Sequence, residues 1–479
     1  MEVHNSNFRQ LLPDIISSID NSCFVAIDLE LSGIHKTSGP RNAPLNRKQN
    51  LEERYREVKT AAERFQVLQL GLCPVSYDEV LGRFSILAIP GPRSYQANAR
   101  PESYVCRPFN FFVSPNSEQK FGLDREYVVQ ASAIGFLLES GFNFNSTYTS
   151  GIRYLSRREE RYVIERENRI AQEPKEDIHI DDASQQFVKD FIAEIQEWVD
   201  DPNPTFDFVN ISTVGQGVNS YQKRLIHQVV RKTFPHLQTL GRPTFVQVIR
   251  TDPAAEKMKR DERRARFETD LERGIGLRHV IDALFASQKP LVGHNLFTDL
   301  INLYECFIGP LPSTSTEFAH AIHENFPIVI DTKFIATCDA ETASFGSNLQ
   351  GIWDLLCTQD YPTIELDIGY TRYVTSRLAH EAGYDSYNTA QVLIRLVGRY
   401  QAYLSHHLKA KNDDPESMSI KYLLDYLHRL DRFPPADHRI DIPKRLPSLD
   451  SSFWKGFINS LRVNGTLEGL WVLGRQGPV

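Results

Sequence analysis

The segment FVAIDLELSG, residues 24–33, decides the fold. Its first five residues are a short apolar run behind the polar stretch SSIDNS, the signature of a buried strand. Asp28 and Glu30 lie two positions apart, so on an extended chain both carboxylates point to one face. An aspartate at the end of a buried strand costs free energy unless it is paired, and a divalent cation is one way of stabilising it. An exposed strand-end pair explains the same two residues, so this segment alone leaves both open.

Working outward, the polar loop 32–50 leads to a charged helix, LEERYREVKTAAERFQ (51–66). Three strand-like runs follow: VLQLGLCPVSYD (67–78), GRFSILAIPG (82–91) and the half-buried YVCRPFNFFV (104–113). Strands succeeding one another before any long helix predict a sheet that starts antiparallel. Residues 126–175 read as helical, first apolar and then so charged that the helix leads out of a core. Between 180 and 250 stands a unit with its own pattern: an Asp-capped helix (181–199), a strand (206–212), a helix (220–234) and a strand (244–250). One long charged helix (256–284) leads back. A strand turning into a helix (291–307), a buried strand (326–336) and helices at 347–357 and 386–404 come next. The tail is a β-α-β sketch of HRIDI (438–442), SSFWKGFINSL (451–461) and GLWVLGR (469–475).

The 479 residues carry 54 Lys and Arg against 61 Asp and Glu, a net charge of −7, so total charge alone does not hold this chain to nucleic acid. A local basic surface remains open. The six cysteines show no CxxC and no clustered spacing, which argues against a disulfide framework or a zinc knuckle and for an intracellular protein. No window reaches a membrane span, and the N-terminus has no secretory pattern.

Two more segments place acids where strands end or helices begin. In LVGHNLFTDLINLY, Asp299 falls in the first or second turn of a helix, where the helix dipole favours negative charge. In LAHEAGYDSYNTAQ, Asp385 stands near the start of an amphipathic helix, where an N-cap role is open, and His380 precedes it in a loop. Each has an ordinary structural explanation when taken singly.

Together they form an ordered set: D-x-E on a first strand, a central Asp in G-H-N-x3-D, then His-x4-Asp before a late helix. The set resembles the His-containing branch of the DEDD exonuclease superfamily, and within it the poly(A)-specific ribonuclease family with its Trimmer-type members. The resemblance is carried by AIDLELSGI (26–34), FQVLQLGLCPV (65–75), SAIGFLLESGFNFNSTYTSGIRYL (132–155), VGHNLFTDL (292–300), IDTKFIAT (330–337) and HEAGYDSYNTA (380–390). It runs from the N-terminus to about residue 410.

The resemblance implies an α/β, RNase H-like core, a mixed sheet flanked by helices, with a small inserted α/β domain that binds single-stranded nucleic acid. The expected divisions are 1–165 and 253–410 for the nuclease and 166–252 for the insert. Residues 411–479 are expected to be an incomplete RNA-recognition-motif-like or packing extension. It also implies that Asp28, Glu30, Asp299 and Asp385 hold two Mg²⁺ ions, with Mn²⁺ able to substitute, and that His380 is the base. All-carboxylate ligation suits magnesium, and an imidazole titrating near neutrality suits the base.

For substrate contacts, residues 211–250 hold six Lys or Arg and no Asp or Glu. A helix presenting Lys223, His227 and Arg231 at four-residue spacing, beside Arg224, would put basic groups on one face that attracts phosphate. The insert is similar to the domain named for an Arg-x3-His signature, although Lys223 stands at its Arg position. Ile34, just after the D-x-E motif, can offer an apolar face to a base, and Lys333 in IDTKFIA matches a family lysine expected to touch RNA, a strand-end surface lysine being the alternative. Phe136, Phe142 and Phe144 are expected to be core residues rather than base-stacking ones, and Trp454 and Trp471 to be packing residues.

The resulting expectation is a metal-dependent 3′-to-5′ exoribonuclease that acts on single-stranded RNA with a free 3′-OH and releases 5′-mononucleotides. Poly(A) deadenylation leads and 3′-end trimming of small RNA precursors follows. A catalytically silent RNA-binding protein is the alternative from another class. Dimerisation through the nuclease domain and a cytoplasmic or nuclear location are implied by the resemblance.

Overall fold

The computed structural model describes residues 1–34, 48–79, 102–172, 177–213, 217–250, 253–338, 348–411 and 442–474. It divides into two compact units, Met1–Val163 with Gly274–Val479, and Ile164–Arg273.

The first unit opens with β1 (Glu2–Val3), α1 (Phe8–Asp20), β2 (Phe24–Leu31), α2 (Leu51–Ala62), β3 (Val67–Asp78), β4 (Ser103–Cys106), β5 (Phe109–Phe112), α3 (Ala131–Glu139) and the start of α4 (Arg157–Gln172). The second unit contributes α5 (Gln185–Asp200), β6 (Phe208–Ile211), α6 (Ser220–Thr233), β7 (Leu237–Gly241), β8 (Val246–Arg250) and most of α7 (Pro253–Ile275). The chain then returns through α8 (Arg278–Ser287), β9 (Leu291–Gly293), α9 (Phe297–Phe307), α10 (Ser315–Asn325), β10 (Val329–Asp331), α11 (Thr332–Thr337), α12 (Leu349–Leu356), β11 (Ile364–Leu366), α13 (Ala382–Lys411), β12 (Ser460–Arg462) and β13 (Leu470–Val472).

The main sheet runs β1-β5-β3-β2-β9-β10, with β4 and β11 branching from β3. β2, β3 and β5 pair antiparallel, whereas β9 and β10 add parallel to β2. A three-stranded antiparallel start extended by two parallel strands is the RNase H-like order. Side-chain alternation splits β2 cleanly between two cores. Val25, Ile27, Leu29 and Leu31 enter one core, and Phe24 and Ala26 the other, which α12, α13 and the aromatic residues Phe453, Trp454 and Phe457 complete. Asp28 and Glu30 share the second face, the side on which α13 lies.

Several elements differ from the sequence expectation. The helix read as continuous over 256–284 is broken, because Gly276 takes φ +54° and a Cβ there would stand 2.0 Å from the Arg153 carbonyl. The second unit also takes in Pro253–Arg273, which the pattern assigned to the returning nuclease segment. SSFWKGFINSL forms only a 3₁₀ turn, Ser452–Gly456, followed by β12. Phe453, Trp454 and Phe457 bury themselves against α13 and β10 instead of making one helical stripe. Trp471 is buried and stacks on Phe318 at 5.7 Å. Helices α1 and α10 and strand β7 had no counterpart in the pattern reading. The expected strand 82–91, all but the last residue of the expected strand 438–442, and residues 35–47 of the expected loop 32–50 lie outside the described residues. No helix among the described residues is long and apolar enough to cross a membrane.

Candidate active site

β2 presents Asp28 opposite Gly71 and Glu30 opposite Gln69 across the antiparallel β2–β3 pair. Gly71 is what lets a helix approach at this point, because a Cβ on it would stand 1.8 Å from the carbonyl oxygen of Ala382. The N-terminus of α13 therefore rests directly on the sheet beside Asp28.

Two buried amides fix it there. Gln69 Oε1 accepts from the Ala382 N–H at 2.9 Å and Asn110 Oδ1 accepts from the Gly383 N–H at 3.0 Å. Both would otherwise be orphan donors of the helix start. The loop ahead of it is held by Glu381, which takes a two-pronged contact from Arg372 at 2.6 and 3.0 Å and a hydroxyl bond from Tyr373. Asp385 is thereby fixed in the first turn, facing β2.

His380 adopts a left-handed backbone, φ +67°, uncommon outside glycine. Its own N–H donates to Asp385 Oδ2 at 3.0 Å. Its ring lies edge-on to Phe136 of α3, with centroids 4.5 Å apart at 67°. Ligand-competent atoms of Glu30, His380 and Asp385 all fall within 4.8 Å of one another.

Asp299 enters from the other side of β2, in the first turn of α9. Its turn is organised by Asp331 at the end of β10, a residue that the sequence pattern left without a role. Asp331 is fully buried and accepts three backbone N–H bonds, from Asn295 at 2.8 Å, Lys333 at 2.9 Å and Arg462 at 3.0 Å. One carboxylate thus ties the turn before α9, the start of α11 and the C-terminal hairpin. The available signal was the strand-end Asp in PIVID, the same position that Asp28 occupies in FVAID.

The electrostatics separate the cluster from an ordinary surface. Burial pushes the Asp28 carboxyl far up, and Asp385, Asp299 and Glu30 push it further. Glu30 rises for the same reasons, with Asp385 and Asp299 adding to burial. Asp299 is raised to about 8 by burial and Asp331, and Asp385 to about 7 by burial, partly offset by the His380 N–H. Among the described residues, no lysine or arginine is a cause acting on these four groups. Burial also lowers the His380 imidazole.

The other sequence candidates are placed as follows. Ile34 follows β2, is 47% exposed, and donates its N–H to Gln130 Oε1. Lys333 sits in the first turn of α11, half-buried beside Asp331 and Arg462, where desolvation lowers its ammonium. Phe142 and Phe144 pack in a small cluster with Leu68 and Leu137, as expected. Phe136 does not; it is 48% exposed, and α3 offers its ring to His380 instead of to the core.

On the second unit the expected basic stripe is tied up internally. Lys223 Nζ donates to the Pro243 carbonyl at 2.8 Å, and His227 Nδ1 bonds Thr239 Oγ1 at 2.6 Å. Arg231 and Lys232 both pair with Asp177, while Arg224 is exposed.

The model of the CAF1 family ribonucleases matches residues 3–393. The chain belongs to the CAF1 ribonuclease family. This CAF1-family chain is 30% identical to the poly(A)-specific ribonuclease PARN of Arabidopsis thaliana, over 89% of its own length and 67% of that protein. It is 26% identical to PARN of Xenopus laevis, over 85% of the chain and 64% of that protein. It is 27% identical to the pre-piRNA 3′-exonuclease trimmer of Bombyx mori, over 83% of the chain and 71% of that protein. The chain thus spans about two thirds of the length of these relatives. All four carboxylates and His380 lie inside the family match.

Proposed function

We propose that this chain is a divalent-metal-dependent 3′-to-5′ exoribonuclease acting on single-stranded RNA and releasing 5′-mononucleotides. The observation that carries the proposal is the convergence of Asp28, Glu30, Asp299 and Asp385 beside His380 with no lysine or arginine among the described residues offsetting them. Four desolvated, half-buried carboxylates, with Asp28 and Glu30 raised by Asp299 and Asp385, fit a bound divalent cation, because oxygen-rich sites of this charge suit Mg²⁺ or Mn²⁺. In this reading the four hold two such ions, which when bound supply Lewis-acid activation of water and neutralise charge on the reacting phosphate.

The chain's own residues do the rest. His380 takes the proton of the attacking water. Its lowered pKa keeps the imidazole neutral, and so able to accept a proton, at pH 7. Asp385 holds the His380 backbone and Phe136 holds its ring. Ile34 offers an apolar edge to a base beside the D-x-E strand, and Lys333 supplies positive charge to the RNA backbone.

Poly(A) is the leading substrate, given the two PARN relatives. Trimming of small-RNA 3′ ends is the second reading, because the trimmer, at 27% identity, falls between the two PARN relatives at 26% and 30%. Function as a homodimer belongs to the proposal and is read by light scattering. The test of activity is hydrolysis of a 5′-labelled A20 oligomer in Mg²⁺. We expect stepwise shortening by the parent protein and none by the Asp28→Ala/Glu30→Ala variant; equal rates for the two would sink the enzyme reading.

A further inference from the structure

The second unit places its two amphipathic helices, α5 and α6, on one face of its three-stranded sheet. Ile211, Val246, Val248 and Leu237 point into the core they share. The register, with Phe208 opposite Ile249, Ile249 opposite Gln238, Asn210 opposite Gln247 and Gln247 opposite Leu240, sends those six side chains to the other face. None of the six belongs to the unit's apolar core. At the edge of this face Phe206 is 61% exposed and stacks on Phe208, with centroids 5.3 Å apart and planes at 25°. A large exposed aromatic normally folds away from water; here it stacks instead on the half-buried Phe208 at the edge of a sheet.

The chemistry of the face is specific. Strands β6, β7 and β8 contain no aspartate or glutamate. The outward amides of Asn210, Gln238 and Gln247 offer both donors and acceptors. Arg242, exposed, is steered over the face by a 3.3 Å bond to Gln247 Oε1. A stacked aromatic pair, a row of amides and one guanidinium on an acid-free sheet match a single-stranded nucleic acid, which supplies ring faces, base edges and phosphates. The basic helix face that the sequence suggested has its lysine, histidine and arginine committed to Pro243, Thr239 and Asp177.

We propose that this outer sheet face, rather than the Lys223–Arg231 helix face, is where the second unit binds single-stranded RNA, with bases stacking on Phe206 and Phe208. The proposal deepens the ribonuclease reading above and rests on it for the choice of RNA as occupant. Stacking keeps RNA on the protein through many cycles without reading its sequence, which suits an enzyme that shortens a uniform tail.

The test measures binding of a fluorescein-labelled A20 oligomer to the full chain in EDTA, where nothing is hydrolysed. Stacking is worth about 1–3 kcal/mol per base, and each 1.4 kcal/mol is tenfold. Phe206→Leu/Phe208→Leu is therefore expected to weaken binding by roughly 10- to 100-fold, with the slope of log K against log salt unchanged. Lys223→Ala/Arg231→Ala is expected to change affinity less than threefold. The reverse pattern overturns the proposal. So does unchanged RNA affinity with lost self-association in the Phe206/Phe208 variant, which would make the face a contact between copies.

Photocrosslinking of the parent protein with a 4-thiouridine-containing oligomer needs no variant to fold. Crosslinks on 202–211 or 237–250 support the proposal, and crosslinks confined to 220–233 overturn it. Parent hydrolysis of A20 in Mg²⁺ is measured separately. If it fails while binding stays dependent on Phe206 and Phe208, only the nuclease reading falls; if it succeeds while binding ignores them, only the sheet assignment falls.

Discussion

Two aspartates on two strands of one sheet meet opposite fates. Asp331, at the end of β10, has three backbone N–H groups to satisfy it. Asp28, inside β2, has other carboxylates for neighbours. Desolvation raises both carboxyls, although Asp331 is fully buried and Asp28 only partly, so desolvation alone does not distinguish a structural acid from a ligand. The partners do. A carboxylate whose lone pairs are filled by N–H groups holds the chain together, whereas one raised by like charges is stable only with a cation that the chain itself does not provide.

That contrast breaks most sharply on Asp28→Asn. The variant should lose more than about 10³-fold in rate of A20 hydrolysis while remaining folded in thermal melts. Metal-free, it should be at least as stable as the parent, since a repelling charge is gone. Asp331→Ala should show the opposite balance. Three N–H groups lose their acceptor, and the chain should lose about 3 kcal/mol or more in denaturant unfolding, with activity following stability. If Asp331→Ala melts like the parent, the contrast between the two sites is lost.

Gly71→Ala tests the contact that brings α13 to Asp28. A methyl 1.8 Å from a carbonyl oxygen forces the helix start off the sheet. A loss of about 1–3 kcal/mol of stability is expected, with a larger fall in activity than stability explains.

Protonation sharpens the comparison further. The cluster's folded pKa values are raised, to about 8 for Asp299 and about 7 for Asp385. The folded state therefore holds more protons than the unfolded one in this range. The associated stability is fully present below the unfolded carboxylate pKa and is lost as pH rises through 7 to 8. In EDTA the protein should lose on the order of 4 kcal/mol or less between pH 6 and 9, and saturating Mg²⁺ should flatten that slope. A chelated protein whose unfolding midpoint ignores pH over this span counts against a carboxylate cluster.

The smallest effect expected is at Phe136. Phe136→Leu should lower kcat roughly 10-fold with KM little changed, because a His380 ring free to swing is less often aligned. Phe136→Tyr should restore most of the rate. In spectra of ¹³C-labelled histidine, the His380 ring protons should lose their aromatic ring-current shift in the Leu variant and keep it in the Tyr variant.

The residues of the candidate site were legible because their chemistry is local. An Asp at the end of FVAID or in the first turn after LVGHNLF announces itself through the apolar run before it, and the ordered set carried the family resemblance. Helix 256–284 was read as continuous because nothing in its charges records that Gly276 must pass close to Arg153. Phe136 was read as core because its apolar neighbours on α3 look like a buried stripe; only the position of His380 explains its exposure. The basic helix 220–233 looked open because its acidic partner, Asp177, lies more than forty residues earlier in the chain.

The sequence by itself determined the alternation along β2, and with it the shared face of Asp28 and Glu30, since a pleated strand leaves no other choice. It also determined which chemistry four carboxylates and a histidine can perform. Tertiary structure alone decided which of the buried acids are satisfied. That depends on three N–H groups from 295, 333 and 462 meeting one carboxylate, and on Gln69, Gly71 and Asn110 admitting a helix to the sheet. Such meetings join residues far apart in the chain, and no local spacing encodes them.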